Sequence, residues 1–343
     1  MNVEVENINQ TENEQLDTCE TVLEVKDLVV HYELEDETVE AVNGISFSLK
    51  RGQTIGLVGE TGAGKTTTAL SILNLLPDPP GVIKNGEIIV CGHKMLELKP
   101  QELEKIRGKE ISMIFQDPMA SLNPRKKVGE IIAQGLDIHG LCSSRAEREA
   151  RVAEMLQKVG LALEHADRYP HQFSGGQRQR VGIARALIMN PKLVIADECI
   201  SALDVSIQAQ VVNLMKDLQD QTGTAYLFIA HDLSMVKHIS RRIAVMYLGR
   251  IVELADSDTL YDRPMHPYTL ALLSAAPIPD PKVETTRQRI LLEGDPPSPV
   301  NPPPGCRFQK RCSYAQERCR QEDPQLVEVE SGHHVACHFP VGN

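Results

Sequence analysis

Short apolar runs alternate with stretches of helical periodicity between residues 22 and 252. Several runs are continuously apolar and end in glycine or in polar residues, which is typical of strands in a sheet that helices bury on both faces. The predicted strands are residues 23–32, 41–49, 55–59, 193–197 and 226–230. The pattern therefore predicts an α/β fold for this part of the chain.

Residues 117–172 interrupt that alternation with a helical insert. Ser144 and Glu147 have the spacing of a capping box, and Gly160 is a suitable helix stop. Between them, apolar residues recur at helical spacing at Val152, Met155, Leu156 and Val159. We predict a helical subdomain here, inserted into the α/β fold.

The two ends of the chain differ from its middle. Residues 1–20 hold six acidic residues and no Lys or Arg, which predicts a solvated, disordered acidic tail. Residues 276–305 are rich in proline and predict a stiff connector, after which four of the eight cysteines follow. The predicted domains are thus residues 21–255, which include the helical subdomain, and a small Cys-rich C-terminal extension, residues 256–343.

Composition narrows the class of protein. The chain carries 36 Lys and Arg against 47 Asp and Glu, a formal charge of −11, which argues against a nucleic-acid backbone as the main partner. It has neither a run of about 18 apolar residues nor an N-terminal signal pattern, so we expect a cytosolic protein that meets a membrane only through a partner. In a reducing compartment, its cysteines favour metal binding or inert burial over disulfides.

A phosphate-binding motif follows the strand at 55–59. The sequence Gly-Glu-Thr-Gly-Ala-Gly-Lys-Thr fits G-x-x-x-x-G-K-[ST] and precedes a helical run, which is the context that the motif requires. Its glycines let backbone N–H groups surround phosphates, Lys65 neutralises phosphate oxygens, and the Thr66 hydroxyl can coordinate Mg²⁺. The predicted nucleotide-binding residues are Gly59, Glu60, Thr61, Gly62, Ala63, Gly64, Lys65, Thr66 and Thr67. Residues 59–66 are called the phosphate loop below.

Two acidic residues end the predicted strand at 193–197. A nucleotide site of this kind needs a carboxylate at the end of a neighbouring strand, where the ligands of open α/β sheets gather. Asp197 is therefore predicted to hold Mg²⁺, directly or through water, and Glu198 to take a proton from the attacking water.

A second anion-binding helix start comprises Ser174, Gly175, Gly176 and Gln177. Ser174 is a suitable N-cap, and the paired glycines open the helix. Two anion sites in one domain suggest that the second serves a nucleotide held by another copy of the chain. His231 ends the last core strand and is a candidate for contact with a γ-phosphate, an ordinary structural histidine being the alternative.

Four cysteines of the extension form the last candidate site. Cys306, Cys312, Cys319 and Cys337 are separated by five, six and seventeen residues. Structural zinc prefers closer pairs, whereas four thiolates are also the ligand set of a 4Fe-4S cluster, so the spacing leaves an iron-sulfur cluster, zinc and unligated thiols open. Three histidines near Cys337 are further candidate ligands, namely His333, His334 and His338.

In their order along the chain, these motifs resemble the nucleotide-binding domain of an ATP-binding cassette (ABC) protein, a P-loop NTPase fold. The set consists of residues 59–66, Gln116, residues 174–177, Asp197, Glu198, residues 201–204 and His231. The resemblance covers residues 23–252 and implies ATP as ligand and Mg²⁺ as cofactor. It also implies a head-to-tail dimer, in which each ATP lies between the phosphate loop of one subunit and residues 174–177, the signature segment, of the other.

Further roles follow from the resemblance. It implies that Gln116 contacts Mg²⁺ or the attacking water and relays closure to a membrane partner, that His231 holds the γ-phosphate, and that Asp204 works across the dimer interface. The family stacks an aromatic residue on adenine, for which Tyr32 is the candidate, with an ordinary strand tyrosine as the alternative. After its two acids the family commonly has Pro-Thr-Ser/Thr, whereas this chain has Cys-Ile-Ser. Because the acids are retained, we predict a hydrolytically competent site.

The extension resembles a narrower family. Residues 265–273, 305–312 and 335–339 are similar to the C-terminal region of ATPase subunits of dipeptide/oligopeptide and nickel importers. Some members of that family carry a 4Fe-4S cluster on such cysteines, which favours iron-sulfur over zinc. Residues 201–210 resemble one of the two paralogous ATPases of these importers and residues 75–81 the other, so the paralogue is left open.

The sequence as a whole predicts an ATPase subunit that is peripheral on the cytoplasmic face of the cell membrane and energises import of di- or oligopeptides. The resemblance implies two integral-membrane permease subunits, a second ATPase subunit (a paralogue or itself) and, indirectly, an extracytoplasmic substrate-binding protein. The helical subdomain is expected to grip a coupling helix of the permease. Three alternatives stay open: an importer of nickel or another substrate, a soluble ABC ATPase acting on DNA or ribosomes, and a redox-sensing binding module.

Overall fold

The computed structural model describes residues 20–275, 290–292, 294 and 297–342. The predicted acidic tail, apart from its last residue, and most of the proline-rich connector lie outside these ranges. The strands are β1 (Thr21–Glu33), β2 (Thr38–Lys50), β3 (Thr54–Val58), β4 (Gly81–Val90), β5 (His93–Lys94), β6 (Ile111–Ile114), β7 (Leu193–Asp197), β8 (Ala225–Ala230), β9 (Arg242–Tyr247), β10 (Arg250–Asp256), β11 (Val327–Glu330) and β12 (His333–Val335). They form an antiparallel sheet in the order β2-β1-β4-β5 and a larger sheet in the order β11-β12-β10-β9-β3-β8-β7-β6.

Eleven helices of the described residues lie between these strands along the chain. They are α1 (Lys65–Ile72), α2 (Pro100–Ile106), α3 (Pro118–Ser121), α4 (Val128–Ile138), α5 (Arg145–Lys158), α6 (Gly175–Leu187), α7 (Val205–Thr222), α8 (Leu233–Ile239), α9 (Ser257–Asp262), α10 (Pro267–Ala275) and α11 (Glu317–Gln321). Two short 3₁₀ turns, Leu163–Asp167 and Pro170–Gln172, follow α5. Within the described ranges, the helices lack the combination of length and apolar character that a bilayer crossing requires.

Five strands of the larger sheet run parallel, in the order β9-β3-β8-β7-β6. Every residue of β3, β7 and β8 is buried. Successive side chains of β7 enter two different cores: Val194 packs with the helical side of the molecule, and Ile195 packs with the antiparallel sheet and α1. The α/β prediction is confirmed, and the five predicted strands agree with the observed ones to within three residues at each end.

The helical subdomain forms as predicted, with one change at its cap. The Ser144 hydroxyl accepts the N–H of Glu147 at 3.2 Å. The reciprocal half of the predicted capping box is wrong, because the Glu147 carboxylate accepts from the N–H and the hydroxyl of Ser143, at 2.8 and 2.6 Å. Ser143 offers this carboxylate two donors where the backbone of Ser144 offers one. The predicted apolar stripe of α5 is buried, which confirms the helical period.

The C-terminal extension joins the larger sheet. Strand β12 pairs antiparallel with β10, placing Val335 opposite Glu253 and His334 opposite Leu254, and β11 pairs with β12. The sheet therefore continues across the boundary placed at residue 255. The division into two domains stays a prediction.

A buried carboxylate holds the extension to the α/β domain. Glu253, in β10, is fully buried. Its oxygens accept the backbone N–H groups of Met265 at 2.8 Å and His266 at 3.0 Å, and Oε1 also pairs with Nε2 of His333 at 2.8 Å. Because an unpaired buried carboxylate is strongly unfavourable, these three partners fix β10, the start of α10 and β12 relative to one another.

Glu253→Ala is expected to lower the free energy of unfolding by about 3–5 kcal/mol, because it leaves three buried donors without an acceptor. The control is Glu330→Gln, which alters an exposed carboxylate paired with Arg263 and is expected to leave stability nearly unchanged. Urea unfolding followed by circular dichroism measures both variants. Parental stability of Glu253→Ala would contradict this role.

His266 is a buried neutral base beside that carboxylate. Burial lowers its pKa from 6.5 to about 4, against the opposing effect of the Glu253 charge. Its Nδ1 accepts the N–H of Tyr268 at 3.1 Å, so the neutral ring carries its proton on Nε2. The folded chain therefore keeps His266 neutral at pH values where the unfolded chain protonates it.

Since this pKa is lower in the folded than in the unfolded chain, the associated stability is present above about pH 6.5 and is lost as the pH falls toward 4. Between about pH 7.5 and pH 5 the loss amounts to about 2 kcal/mol. We expect His266→Gln to flatten the pH dependence of the unfolding free energy by that amount, measured by urea titrations at both pH values. Identical pH dependence of parent and variant would refute the assignment.

Candidate functional site

The phosphate loop joins the end of β3 to the start of α1. Gly62 and Gly64 have left-handed backbone, with φ of 81° and 100°. A Cβ at Gly59 would lie 2.1 Å from the carbonyl oxygen of Met246, and one at Gly64 would lie 2.3 Å from that of Ala41. The glycines at these positions are therefore required both by the turn and by its close packing on the neighbouring backbone.

Lys65 lies at the centre of the site. Its side chain is only 4% exposed. The ammonium donates to the carbonyl oxygens of Gly59 at 2.7 Å and Glu60 at 3.1 Å, and its nitrogen lies 3.4 Å from Oε1 of Glu198. Burial lowers the pKa of Lys65, an effect that the surrounding carboxylates oppose. The arrangement is a cation held in a fixed position and aimed into the loop.

Asp197 and Thr66 meet where β7 ends beside α1. The Thr66 hydroxyl donates to Oδ1 of Asp197 at 3.3 Å. Burial raises the pKa of Asp197, and the hydrogen bond from Thr66 partly offsets this. A hydroxyl and a carboxylate at this distance are the oxygen donors that Mg²⁺ takes in nucleotide sites, and a cation next to Asp197 would favour its ionised form. The two residues therefore fit the predicted metal.

Glu198 directs its carboxylate toward three other predicted site residues. Its backbone is left-handed, with φ of 42°, which is uncommon for a residue with a side chain. Gln116 Nε2 donates to Oε2 of Glu198 at 3.1 Å, and His231 Nδ1 lies 3.9 Å from the same oxygen. Together with Lys65, these groups gather at the carboxyl edge of the parallel strands. The structure thus brings Gln116, Glu198 and His231 together.

The signature segment starts α6. The Ser174 hydroxyl accepts the N–H of Gln177 at 3.3 Å, and the Gln177 side chain accepts the N–H of Ser174 at 3.0 Å, so the predicted cap forms in full. Asp204 is the N-cap of α7 and makes no side-chain capping bond. Within the described part of the chain, no hydrogen bond joins Ser174 or Asp204 to the phosphate loop. Their predicted roles require a second subunit and stay predictions.

Tyr32, the candidate for adenine stacking, lies in β1 against the first turn of α1. Its hydroxyl is 3.2 Å from Oγ1 of Thr67. A Cβ at Gly81 would approach its ring to 3.2 Å, so the tyrosine borders the loop that leads into β4. The residue is placed beside the nucleotide-binding helix, and its contact with adenine stays a prediction.

Sequence reasoning missed three residues that contact the phosphate loop. Arg311 binds the Glu60 carboxylate, Tyr268 accepts the Glu60 N–H, and the N–H of Gly249 donates to the carbonyl of Ala63 at 2.9 Å. All three are distant in sequence from the loop. Local motifs carry no signal for such contacts.

The cysteines of the extension line one small cavity, together with His338 and the aromatic ring of Phe308; they are Cys306, Cys312, Cys319 and Cys337. Burial raises the pKa of Cys306 to about 12 and that of Cys337 to about 11. In the described ranges, however, no group of three or more His, Cys, Asp or Glu side chains is placed to hold a metal ion. The four thiols share a cavity, but the described residues do not form a metal-ligand group, so the structure does not support the predicted metal centre.

Two of the three nearby histidines already have side-chain partners. His333 pairs with buried Glu253 at 2.8 Å, and Nε2 of His338 lies 3.0 Å from the carbonyl of Glu322. His334 lies in β12, paired with Leu254. The suggestion of a mixed Cys and His site therefore finds no support in these contacts.

Comparisons with known proteins agree with the nucleotide site and with the extension. Residues 42–201 match the family described as ABC transporter, and residues 252–319 match the family described as oligopeptide/dipeptide transporter, C-terminal region. A solved dimeric ATP-binding cassette, in a post-hydrolysis state bound to ADP and Pi, has a TM-score of 0.62 and 28% identity over 68% of this chain and 98% of that chain.

Relatives of nearly the same length share about half of the residues. The oligopeptide transport ATP-binding protein OppF of Escherichia coli strain K12 is 50% identical over 92% of this chain and 95% of its own length. The oligopeptide transport ATP-binding protein AppF of Bacillus subtilis strain 168 is 48% identical over 93% of this chain and 98% of its own length. The chain belongs to the family of ATP-binding subunits of oligopeptide and dipeptide ABC transporters.

Proposed function

We propose that this chain hydrolyses ATP to drive the import of di- and oligopeptides through membrane permease partners. The observation that carries the proposal is the convergence of a phosphate loop, a buried lysine and two strand-end carboxylates at one sheet edge. The match of the extension to the oligopeptide/dipeptide transporter family favours transported peptides over transported nickel. It also favours transport over an ATPase activity directed at DNA or ribosomes.

Binding of ATP would use the charges already in place. Lys65 would exchange its bonds to the loop carbonyls for bonds to phosphate oxygens, and the N–H groups of the phosphate loop would surround the same anion. Thr66 and Asp197 would hold Mg²⁺, which when bound neutralises phosphate oxygens. Tyr32 lies close enough to Thr67 to border the nucleoside.

Hydrolysis would proceed by in-line attack of water on the γ-phosphorus, with cleavage of its bond to the β–γ bridging oxygen. Glu198 would accept the proton of that water, since its carboxylate already accepts a hydrogen bond at this edge. Gln116 would orient the water, and His231, next to Glu198, would donate to the γ-phosphate. Each role is supported by the observed gathering of these three side chains.

A second ATPase subunit would complete the site. The proposed arrangement places Ser174 and Asp204 of the partner subunit opposite the phosphate loop of this one. Two observations support it: among the described residues, Ser174 and Asp204 make no hydrogen bond to the phosphate loop of their own chain, and the related cassette in the post-hydrolysis state is described as dimeric. The second subunit is either another copy of this chain or a paralogue.

Docking on permeases would place the chain on the cytoplasmic face of the membrane. Phe115, beside Gln116, and Met119, in α3, remain about 40% exposed despite being large and apolar (39% and 44%). Leu163, after α5, is 48% exposed. Exposed apolar side chains next to the site and on the helical subdomain support a protein contact there, which we assign to the permease.

An iron-sulfur cluster on the four cysteines, with zinc as the alternative, is a further proposal. It rests on the cavity that the four thiols share. With no cation bound, burial and repulsion from the other thiolates of the cavity raise the pKa of Cys306. A bound cation would relieve that mutual repulsion and favour thiolates. No step of ATP hydrolysis is assigned to the cluster.

Anaerobic purification of the full chain, followed by iron, sulfide and zinc analysis, tests this proposal. We expect iron and sulfide in equal amounts, with loss of both in Cys312→Ser. Stoichiometric zinc without iron would select the alternative. A folded, metal-free protein would remove both assignments.

Glu198→Gln is expected to lower ATP turnover about 10²- to 10⁴-fold while nucleotide binding persists, because the amide cannot accept the proton from water. Turnover and ATP-dependent peptide uptake are measured with the permeases in proteoliposomes. Glu110→Gln is the control. This carboxylate pairs with Lys192 at the amino ends of β6 and β7, whereas Glu198 follows the carboxyl end of β7. Parental turnover of Glu198→Gln would refute the catalytic role, and ATP turnover without any coupled peptide uptake would refute the transport function.

A further inference from the structure

The C-terminal extension contacts the phosphate loop directly. Arg311 lies 251 residues after Glu60, the second residue of the loop. Its Nη1 donates to Oε2 of Glu60 at 2.8 Å and its Nη2 to Oε1 at 3.2 Å, which makes a bidentate ion pair. The arginine side chain is only 7% exposed and the glutamate 29%. This is therefore a partly desolvated contact and not a loose surface pair.

The backbone of Glu60 is held by a tyrosine that belongs to a cluster of three aromatic rings in edge-to-face and tilted contact. The hydroxyl of Tyr268, at the start of α10, accepts the Glu60 N–H at 3.0 Å. The Tyr268 ring packs on Tyr247, with centroids 4.7 Å apart, and Phe308 of the extension packs on both tyrosines at 5.2 and 5.4 Å. The extension thus fixes both the side chain and the backbone of this loop residue.

The far end of the loop is held through a second arginine. Arg307 donates to the carbonyl of Leu248 at 2.7 Å and to the carboxylate of Glu40 at 2.7 Å. The next residue, Gly249, donates its N–H to the carbonyl of Ala63 in the loop at 2.9 Å. Arg307 and Arg311 therefore support the phosphate loop from the same short segment of the extension.

The charge of Glu60 gives this contact a consequence for nucleotide binding. The phosphate loop binds a polyanion, and an unpaired carboxylate within it would repel that ligand at short range and low screening. Arg311 neutralises the charge of Glu60, and its planar guanidinium, which binds both carboxylate oxygens, also fixes the orientation of that carboxylate. We infer that Arg311 is a positioning residue for ATP binding, through which the extension neutralises the Glu60 carboxylate and keeps the phosphate loop correctly shaped for the triphosphate.

A purely structural role for Arg311 makes a different prediction. If the ion pair only attached the extension, its loss would lower stability and leave the affinity of the folded protein for ATP unchanged. The electrostatic role instead predicts that the penalty depends on the charge of Glu60. A double-mutant cycle on the pair separates the two.

The test is the Kd of a fluorescent ATP analogue with Mg²⁺, measured on the full chain. Arg311→Met is expected to raise the Kd about 5- to 30-fold, and adding Glu60→Gln to it should restore most of the affinity. Arg311→Lys keeps the positive charge but loses the bidentate guanidinium geometry, so its Kd should fall between those of the parent and Arg311→Met. Arg263→Met is the control: it removes an exposed pair with Glu330 inside the extension, away from the phosphate loop, and should bind as the parent does.

Steady-state ATPase kinetics of the same variants provide an independent readout. We expect KM to rise with the Kd while kcat at saturating ATP stays within about two-fold of the parent, because Arg311 bonds to Glu60 and Tyr247 and not to Glu198. Parental affinity in folded Arg311→Met, or a double variant as weak as that single one, would overturn the inference. If Arg311→Met does not fold, Arg311→Gln replaces it in the same cycle: parental affinity of that variant, or no gain in affinity from adding Glu60→Gln to it, would overturn the inference.

Discussion

The buried ammonium of Lys65 is the constraint on which the site depends. A cation that is 4% exposed must be surrounded by acceptors, and here they are the carbonyls of Gly59 and Glu60 and the carboxylate of Glu198. These acceptors reach it because β3 and β7 are parallel strands whose carboxyl ends lie at the same edge of the sheet. The apolar strands thus serve to hold opposite charges next to each other, where a phosphate chain can take over the acceptor positions.

The extension is part of the same physical unit. It continues the sheet through β12, buries Glu253 beneath that junction, and returns to the phosphate loop with Arg311. Its contacts therefore couple the stability of the junction to the shape of the nucleotide site. A chain cut after β10 would keep every local motif of the site and lose part of the scaffold that positions them.

Sequence patterns predicted what is local. The strands, the phosphate loop at residues 59–66 and the gathering of acids at strand ends follow from spacing alone, since parallel strands share one functional edge. The Glu147 carboxylate accepts two hydrogen bonds from Ser143 in place of the predicted one from the Ser144 N–H. A sequence pattern does not show which of these donors the carboxylate prefers. The pair of Arg311 and Glu60 spans 251 residues, so only the folded chain reveals it. The four cysteines share a cavity as their grouping suggested, but the structure does not arrange them as metal ligands.

The most direct measurement is a structure of two ATPase subunits that carry Glu198→Gln, which blocks hydrolysis, and that are trapped with Mg-ATP. We expect Lys65 to have left the loop carbonyls for phosphate oxygens, and Ser174 of the partner subunit to touch the same triphosphate. A nucleotide bound to a single polypeptide, with Lys65 still on Gly59 and Glu60 and the signature segment remote, would contradict this expectation.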